Sequence, residues 1–508
     1  MKKILISREA WQTRVAILNN DKLQDIYFDT STKIDLERCF FKGRVSKILP
    51  GIQTSFVDIG QSKAGFLHIT EIDRALATEK ITEFLQGDDT KEEFTEREIK
   101  TSLDISKIFH EGQDILVQVI KEPISEKGAK LTTCFTLPGR FVVLMPNIPQ
   151  IGISKKIDDK DERTRLRETL TKSLPKGMGA IVRTTAEGRS EKDLRKDIAF
   201  LVSIWNAIIK KFNKAQPGEK IYEDLPLGLR AVRDHLDNDV EMVVADNKID
   251  QAMIYKFVKN TSPEHLNKIR IYEGPPSLFD RFEIDKQIDK ALQKKVLLKS
   301  GGTVIIESTE AMTVIDVNTG KFTGSGNLED TISKTNLEAA DEIVTQLRLR
   351  NIGGLIVIDF IDMNLASNRQ KLSRFLEKTL KERDKFQSVA LKVSEFGIVQ
   401  MTRKRSGKTL QQQLTNVCQS CSGLGSVKSI STLSFQVLRD FTAEVIRKNF
   451  TGSIVLSVSN KLFDYLLQFE YQPILLLEKQ LNCKIVLESN EHFEDTHFTV
   501  SKASSVDQ

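Results

Sequence analysis

Cysteine is scarce in this chain: Cys39, Cys134, Cys418, Cys421 and Cys483 are the only five in 508 residues. So few thiols in so long a chain exclude a disulfide framework, and a reducing compartment is expected. Long apolar runs are missing as well. No stretch approaches the roughly 20 apolar residues that cross a bilayer. The opening Met1-Lys2-Lys3-Ile4-Leu5-Ile6-Ser7-Arg8-Glu9 returns to charge too early for a secretory signal. A cytoplasmic location without stable membrane insertion is the expectation. Excess charge is small too: 75 Lys and Arg against 70 Asp and Glu leave +5. That balance permits a nucleic-acid partner without demanding one. No internal repeat and no low-complexity tail is present. What remains, 40% hydrophobic and 29% charged, reads as a globular protein too long for one core, with about three or more domains.

The first 30 residues alternate in the manner of strands (Ile4, Ile6; Val15, Ile17; Ile26, Phe28), with a turn at Asn19-Asn20-Asp21. Short glycine-broken β-runs then follow at 41–51, 55–60 and 64–68 and resume at 115–120, which predicts a small barrel. The charged, unpatterned stretch 87–98 reads as a solvated insertion. Buried strands are predicted at 141–145 and 180–182, with a charged helix over 158–172 between them. A second helix over 191–213 carries Leu194, Ile198, Leu201, Trp205 and Ile208 on one face. The second half is α/β, with strands at 303–306, 313–316 and 355–359 and helices over 328–350 and about 368–382.

The unit from 313 to 359 carries the most chemistry. Strand, helix, strand in that order predicts two parallel neighbours in one sheet. Their carboxyl ends then share one edge, where α/β sheets place their ligands. Asp316 closes the first strand and Asp359 the second. Neighbouring carboxylates repel unless a cation lies between them or one is protonated. An oxygen-lined pair with open positions suits Mg²⁺ or Mn²⁺. Asn318, two residues beyond Asp316, faces the same way in an extended chain and can orient water or phosphate. Asp362 is a third candidate. The competing account is that strand-end aspartates only cap the following turn.

Three further features point to nucleic acid and to metal. Phe56, Phe66 and His68 lie on the predicted barrel near Lys42, Arg44 and Lys47, as OB-type barrels arrange stacking rings and phosphate-binding cations; the alternative is that the phenylalanines are core. Arg183-Thr184 at a strand end places a guanidinium beside a hydroxyl, a compact phosphate grip. Cys418-Gln419-Ser420-Cys421 supplies two thiolates of a tetrahedral Zn²⁺ site that needs four. With no further ligand nearby in sequence, a second subunit completing the site is the economical solution, which predicts a zinc-linked homodimer. A redox pair or plain packing cysteines are the alternatives, and the glycines at 423 and 425 favour a knuckle.

Taken together, the segments 41–45, 55–60, 65–68, 127–133, 182–184, 308–313, 315–320, 336–340, 347–350 and 358–363 resemble the ribonuclease E/G family over nearly the whole chain. Within it the resemblance is to the shorter ribonuclease G branch rather than to ribonuclease E with its long polar tail. The resemblance implies a multidomain α/β plus β-barrel fold. An RNase H-like fold (1–38 and 230–291) is interrupted by an S1-type OB barrel (39–134) and a 5′-sensor region (135–229). A DNase I-like catalytic subdomain (292–413), a zinc link (414–427) and a small α+β C-terminal domain (428–508) follow.

The same resemblance implies catalytic Asp316, Asn318 and Asp359, with Mg²⁺ on the two aspartates and structural Zn²⁺ on Cys418 and Cys421. It implies a 5′-phosphate pocket at Gly139, Val143, Arg183 and Thr184, and RNA contacts at Phe56, Phe66, Lys121 and Lys127. Lys155-Lys156 stand where the family carries paired arginines, and lysine lacks the bidentate fork. The expected activity is hydrolysis of single-stranded RNA to 5′-phosphate and 3′-hydroxyl ends, in ribosomal RNA precursors and messages. A non-catalytic RNA-binding or ribosome-assembly factor that keeps the fold is the alternative, and the intact Asp316, Asn318 and Asp359 set argues against it.

Overall fold

The computed structural model describes residues 1–30, 35–73, 104–123, 128–320, 328–405 and 407–502. The charged stretch 87–98 and Lys127 lie outside these. The chain forms two compact units, Met1–Gln413 and Leu414–Gln508, and is a multidomain α/β protein with a closed barrel.

The first sheet of the larger unit joins both ends of a long sequence interval. Its order is Ile269–Ile271, Val240–Ala245, Lys2–Arg8, Gln12–Asn19 and Lys22–Thr30. Asn20 and Asp21 both adopt positive φ, 48° and 60°, the twist that a two-residue hairpin requires. Both faces are covered. Ile4, Ile6, Val15 and Ile17 pack with Leu227, Val232, Ile254 and Val258. Leu5, Ala16 and Leu18 pack with Leu278, Phe279, Ile284 and Ile288.

The barrel runs Phe40–Leu49, Thr54–Asp58, Gly65–His68, Lys130–Thr132 and Asp114–Lys121, and the last strand pairs with the first to close it. Its interior is filled by Val45, Val57, Ile59, Leu67, Val117, Val119 and Leu131. Beside it, a four-stranded sheet (Ile151–Ile153, Gly179–Val182, Val142–Met145, Leu137–Pro138) is covered by helices Lys160–Ser173 and Glu191–Phe212. Asp159 and Ser190 cap those helices by accepting the N–H of Asp161 and Asp193. Leu194, Ile198, Leu201 and Ile208 form the buried stripe of the second, and Trp205 packs against the rings of Phe40 and Phe135.

The sheet that carries the carboxylate pair has the order Lys295–Leu297, Thr303–Ser308, Met312–Asn318, Gly354–Asp359, Ile398–Arg403 and Ser388–Ala390. Only its central pair, Met312–Asn318 and Gly354–Asp359, is parallel, joined by helix Leu328–Leu349. One face is packed: Ile315, Val317, Ile356, Ile358 and Val399 meet Ala340, Ile343 and Leu347 of that helix and Leu372 and Leu376 of helix Ala366–Arg383. Burying such an aliphatic side chain contributes about 1.5–3 kcal/mol. On the other face Val314, Asn318, Leu355, Asp359, Gln400 and Thr402 are exposed. The first sheet is tied to this subdomain through Asp25, whose buried carboxylate accepts from Arg348 and Lys385.

The smaller unit has the sheet order Cys483–Ser489, Gly452–Val458 and Phe498–Lys502, with helices Ile430–Lys448, Asn460–Phe469 and Tyr471–Leu481 around Phe441, Ile454, Leu456 and Leu462. Among the described residues, no helix is long and apolar enough to cross a membrane.

Candidate active site

Asp316 and Asp359 are register partners on the two parallel strands. Strand order and alternation put both on the open face of the sheet, at one edge. The amide of Asn318 donates to Asp316 Oδ2 at 2.6 Å and holds that carboxylate in one rotamer. Asp359 titrates above the ordinary carboxylate range, first because it is partly desolvated, then because Asp316 and Asp362 repel its charge. The site is therefore short of positive charge. Among the described residues, no group of three or more His, Cys, Asp or Glu converges as a metal cage. Two carboxylates with open positions fit a hard cation that keeps waters and takes the rest of its shell from substrate phosphate.

The segment after Asp359 is held from three sides. Asn336, fully buried in helix Leu328–Leu349, clamps the backbone of Ile361: its Nδ2 donates to the carbonyl at 2.8 Å and its Oδ1 accepts the N–H at 3.1 Å. Glu329 accepts from the N–H groups of Asn364 and Leu365. The N–H of Phe360 donates to the carbonyl of Gly397 at 3.2 Å. Gly397 has φ of +73°, and a Cβ there would lie 2.4 Å from the Phe360 oxygen, so a side chain is excluded. In sequence Asn336 stands out only as part of the family resemblance, because nothing local shows that it faces residue 361.

On the barrel, Phe56 and Phe66 are half-buried rather than core, and they pair across strands with ring centroids 6.4 Å apart. His68 stacks on Phe66 at 6.3 Å. Register extends this pair into the row Lys47, Phe56, Phe66, Lys130, Lys121 across the outer surface. Lys130 was not legible in the sequence, since only barrel closure brings it beside Phe66, and it is paired with Glu71. Lys42 and Arg44 are both drawn to Asp114, at 3.7 and 2.8 Å. Lys127 lies outside the described residues.

Arg183 donates to the carbonyl of Gly139 at 2.8 Å and to Asp234 Oδ1 at 2.7 Å. Burial would push Asp234 up, but Arg233 and Arg183 outweigh it and hold its carboxyl at about 2. A phosphate at Arg183 would share the guanidinium with Asp234. Gly139 and Arg183 are thus in contact, while Val143 lies opposite Ile181 on the neighbouring strand. The hydroxyl of the fourth candidate pocket residue, Thr184, lies 3.2 Å from that of Ser154. The Lys156 ammonium donates to the carbonyl of Asp384, while Lys155 is exposed.

Cys418 is exposed and Cys421 half-buried, and neither is in a disulfide. The N–H groups of Cys421 and Ser420 point at the Cys418 sulfur and lower its pKa. Ser422 and Gly423 take positive φ, 47° and 89°, and the Leu424 N–H closes the turn on the Cys421 carbonyl at 2.8 Å. The turn places two sulfurs where a tetrahedral zinc site would need four donors. The next helix starts only at Ile430, capped by Ser429, so the pair does not open a helix as a redox dithiol does.

Comparison with known proteins bears on these geometries. Residues 136–406 match the model of the ribonuclease E/G family, and residues 417–503 match that of the RNase E/G thioredoxin-like domain. The chain is 39% identical to ribonuclease G of Escherichia coli (strain K12) over 438 residues, 86% of this chain and 87% of that protein. It is 35% identical to ribonuclease G of Haemophilus influenzae over 490 residues, 96% of this chain and 97% of the relative. Against ribonuclease E of the same organism it is 35% identical over 504 residues, which cover 98% of this chain but 52% of that one.

Proposed function

The chain belongs to the ribonuclease E/G family, and from that premise we propose that it is a metal-dependent endoribonuclease that hydrolyses single-stranded RNA to 5′-phosphate and 3′-hydroxyl ends. The observation that carries this reading is the register pairing of Asp316 with Asp359 beside Asn318 on an open sheet face. Mg²⁺ or Mn²⁺ on those carboxylates would supply Lewis-acid stabilisation of the phosphoryl charge and a more acidic attacking water. The protein's own part is positional. Asn318 fixes the Asp316 carboxylate, and Asn336 fixes the backbone that leads from Asp359 to Asp362. A divalent cation between the two carboxylates would favour the ionised form of Asp359.

Substrate binding is assigned to the barrel row, where Phe56 and Phe66 stack bases and Lys47, Lys121 and Lys130 meet phosphates. Gly139, Val143, Arg183 and Thr184 would receive a 5′-terminal phosphate. In this reading the sheet shared by the N-terminus and residues 230–291 is the RNase H-like part and the barrel is of S1 type. Residues 292–413 are then the DNase I-like subdomain. Cys418 and Cys421 would share structural Zn²⁺ with a second subunit, which makes a homodimer. Processing of ribosomal RNA precursors and turnover of messages in the cytoplasm are the proposed roles.

The test is cleavage of a short 5′-monophosphorylated oligoribonucleotide with Mg²⁺ present and withheld, using the wild type and Asp316→Asn. Cleavage confined to the wild type with Mg²⁺ supports the reading. Intact RNA in every reaction, with retained binding, would instead make the protein a non-catalytic RNA-binding factor.

A further inference from the structure

A second cluster of cations adjoins the strand end at Arg183, where the Arg183 N–H donates to the Phe141 carbonyl and the Thr185 hydroxyl donates to the Arg140 carbonyl at 2.6 Å. Arg140 is 3% exposed. Its Nη2 donates to the Leu236 carbonyl at 3.0 Å, its Nε has no partner, and among the described residues no carboxylate forms an ion pair with it. A buried guanidinium without a counter-charge is costly, and proteins ordinarily pair it. Arg189 makes the deficit worse, while Glu264, Asp197 and Asp237 offset part of it without forming an ion pair with Arg140 among the described residues. Arg140 and Arg189 lie against the same ring, Phe141, at 5.2 and 5.6 Å from its centroid. Burial, then the charge of Arg189, brings Arg140 down to about 10.

His265 is also 3% exposed and its Nε2 has no hydrogen-bond partner. Ser262, which accepts the N–H of His265 on the same turn, has a buried hydroxyl without a partner. Of the acids that act on Arg140, Glu264 is the one that reaches Arg189 and His265. Its carboxylate is 3.0 Å from Arg189 Nη1 and 3.8 Å from His265 Nε2, and the side chain is 47% exposed. Lys268 adds a further positive charge, held on the carbonyls of Asp237 and Asn238.

We propose that Arg140, Arg189 and His265 form a binding site for a phosphate group, in which the Glu264 carboxylate is a built-in competitor that swings into solvent when phosphate arrives. Two planar guanidinium forks and an imidazole present more donors than one carboxylate can satisfy, and a tetrahedral phosphate offers several acceptor oxygens. Glu264, half in solvent already, leaves at little cost. Arg189 is the half-buried gate and Arg140 the buried base of the site. The phosphate is either inorganic phosphate or a backbone phosphate of RNA. Only the second source rests on the function proposed above.

The experiment uses the full-length protein in EDTA, so no cleavage is involved and the outcome does not depend on the endonuclease reading. Inorganic phosphate is titrated at constant ionic strength against the wild type, Arg189→Gln, Glu264→Gln and Arg183→Ala, with Kd read by calorimetry and Tm by differential scanning fluorimetry. Arg140 is left intact because a buried arginine can be needed for folding. Arg189→Gln weakens phosphate binding at least about tenfold, the loss of a charge-assisted contact. Glu264→Gln tightens it about fivefold by removing the competitor, and Arg183→Ala removes only the binding that belongs to the 5′-phosphate pocket proposed above. A 5′-hydroxyl, 2′-O-methyl oligoribonucleotide that displaces phosphate from the wild type identifies the RNA backbone as the source. Failure to displace identifies free phosphate. The proposal is overturned if the wild type shows no response beyond that to chloride. Equal Kd values for the wild type, Arg189→Gln and Glu264→Gln overturn it as well, and so does loss of all phosphate binding in Arg183→Ala.

Discussion

Asn336→Ala removes both hydrogen bonds that hold Ile361, at 2.8 and 3.1 Å, from a fully buried position. The backbone N–H and C=O of Ile361 are then left without their partner. Each unsatisfied buried group costs about 1–3 kcal/mol, so a loss of roughly 2–5 kcal/mol in unfolding free energy is expected. The functional consequence is separate. The segment from Asp359 to Asp362 loses its anchor, so the Mg²⁺ concentration for half-maximal cleavage rises severalfold while RNA affinity, set on the barrel, stays within about twofold.

Asn336→Asp distinguishes positioning from bulk packing. Protonated, the new carboxyl can donate to the Ile361 carbonyl and accept its N–H as the amide does. Ionised, it loses the donor and is a buried charge. Its folded-state pKa is therefore raised, and stability relative to the wild type is lost as pH rises from about 4 through that raised value. The assay is thermal unfolding and Mg²⁺-dependent cleavage from pH 5 to 8. An Asn336→Asp variant with the wild-type Mg²⁺ requirement at pH 8, or no pH dependence of the difference, refutes the clamp argument.

Four other outcomes follow from the geometry. Asp316→Asn and Asp359→Asn each abolish cleavage with RNA binding retained. Because the raised pKa of Asp359 means that its ionised form costs folding energy above its unfolded pKa, metal-free Asp359→Asn unfolds at the same or a higher Tm than the wild type. A lower Tm would contradict that sign. Arg183→Ala slows cleavage of 5′-monophosphorylated RNA about tenfold more than that of 5′-hydroxyl RNA, in line with about 1.5–3 kcal/mol for a charge-assisted contact; equal slowing on both substrates removes Arg183 from the pocket. Replacing Cys418 and Cys421 by Ser lowers the solution mass and removes zinc together, and metal analysis with light scattering checks this: a stable monomer holding one zinc per chain would contradict a shared site. Burial favours protonation of Asp25 and Asp234, but Lys385 and Arg348 outweigh it at Asp25, and Arg233 and Arg183 at Asp234, so both carboxyls titrate below the ordinary aspartate value of 3.8. Their contribution is full above that value and is lost as pH falls through it toward about 2. Urea midpoints measured from pH 6 to 3 therefore fall, and Asp25→Asn flattens the fall.

Periodicity and order along the chain determined a good part of this protein. The stripe Leu194, Ile198, Leu201 and Ile208 is local, because helical spacing alone puts those side chains on one face. The hairpin at Asn20 and Asp21 is local for a similar reason, since their tolerance of positive φ is a property of the residues. Strand–helix–strand order sufficed to send Asp316 and Asp359 to one sheet edge, as right-handed crossovers leave little choice. What pairs with what across long sequence intervals was decided only in three dimensions. Lys130 joins Phe56 and Phe66 because the barrel closes and sets its register. Asn336 reaches Ile361 because the crossover helix packs on the sheet behind the site. Arg140 and His265 come near enough for their charges to interact although they belong to different segments of the chain. Such contacts depend on register and packing, which the one-dimensional pattern constrains but does not specify, so Asp316, Asp359 and Asn318 could be named in advance and the clamp of Asn336 on Ile361 could not.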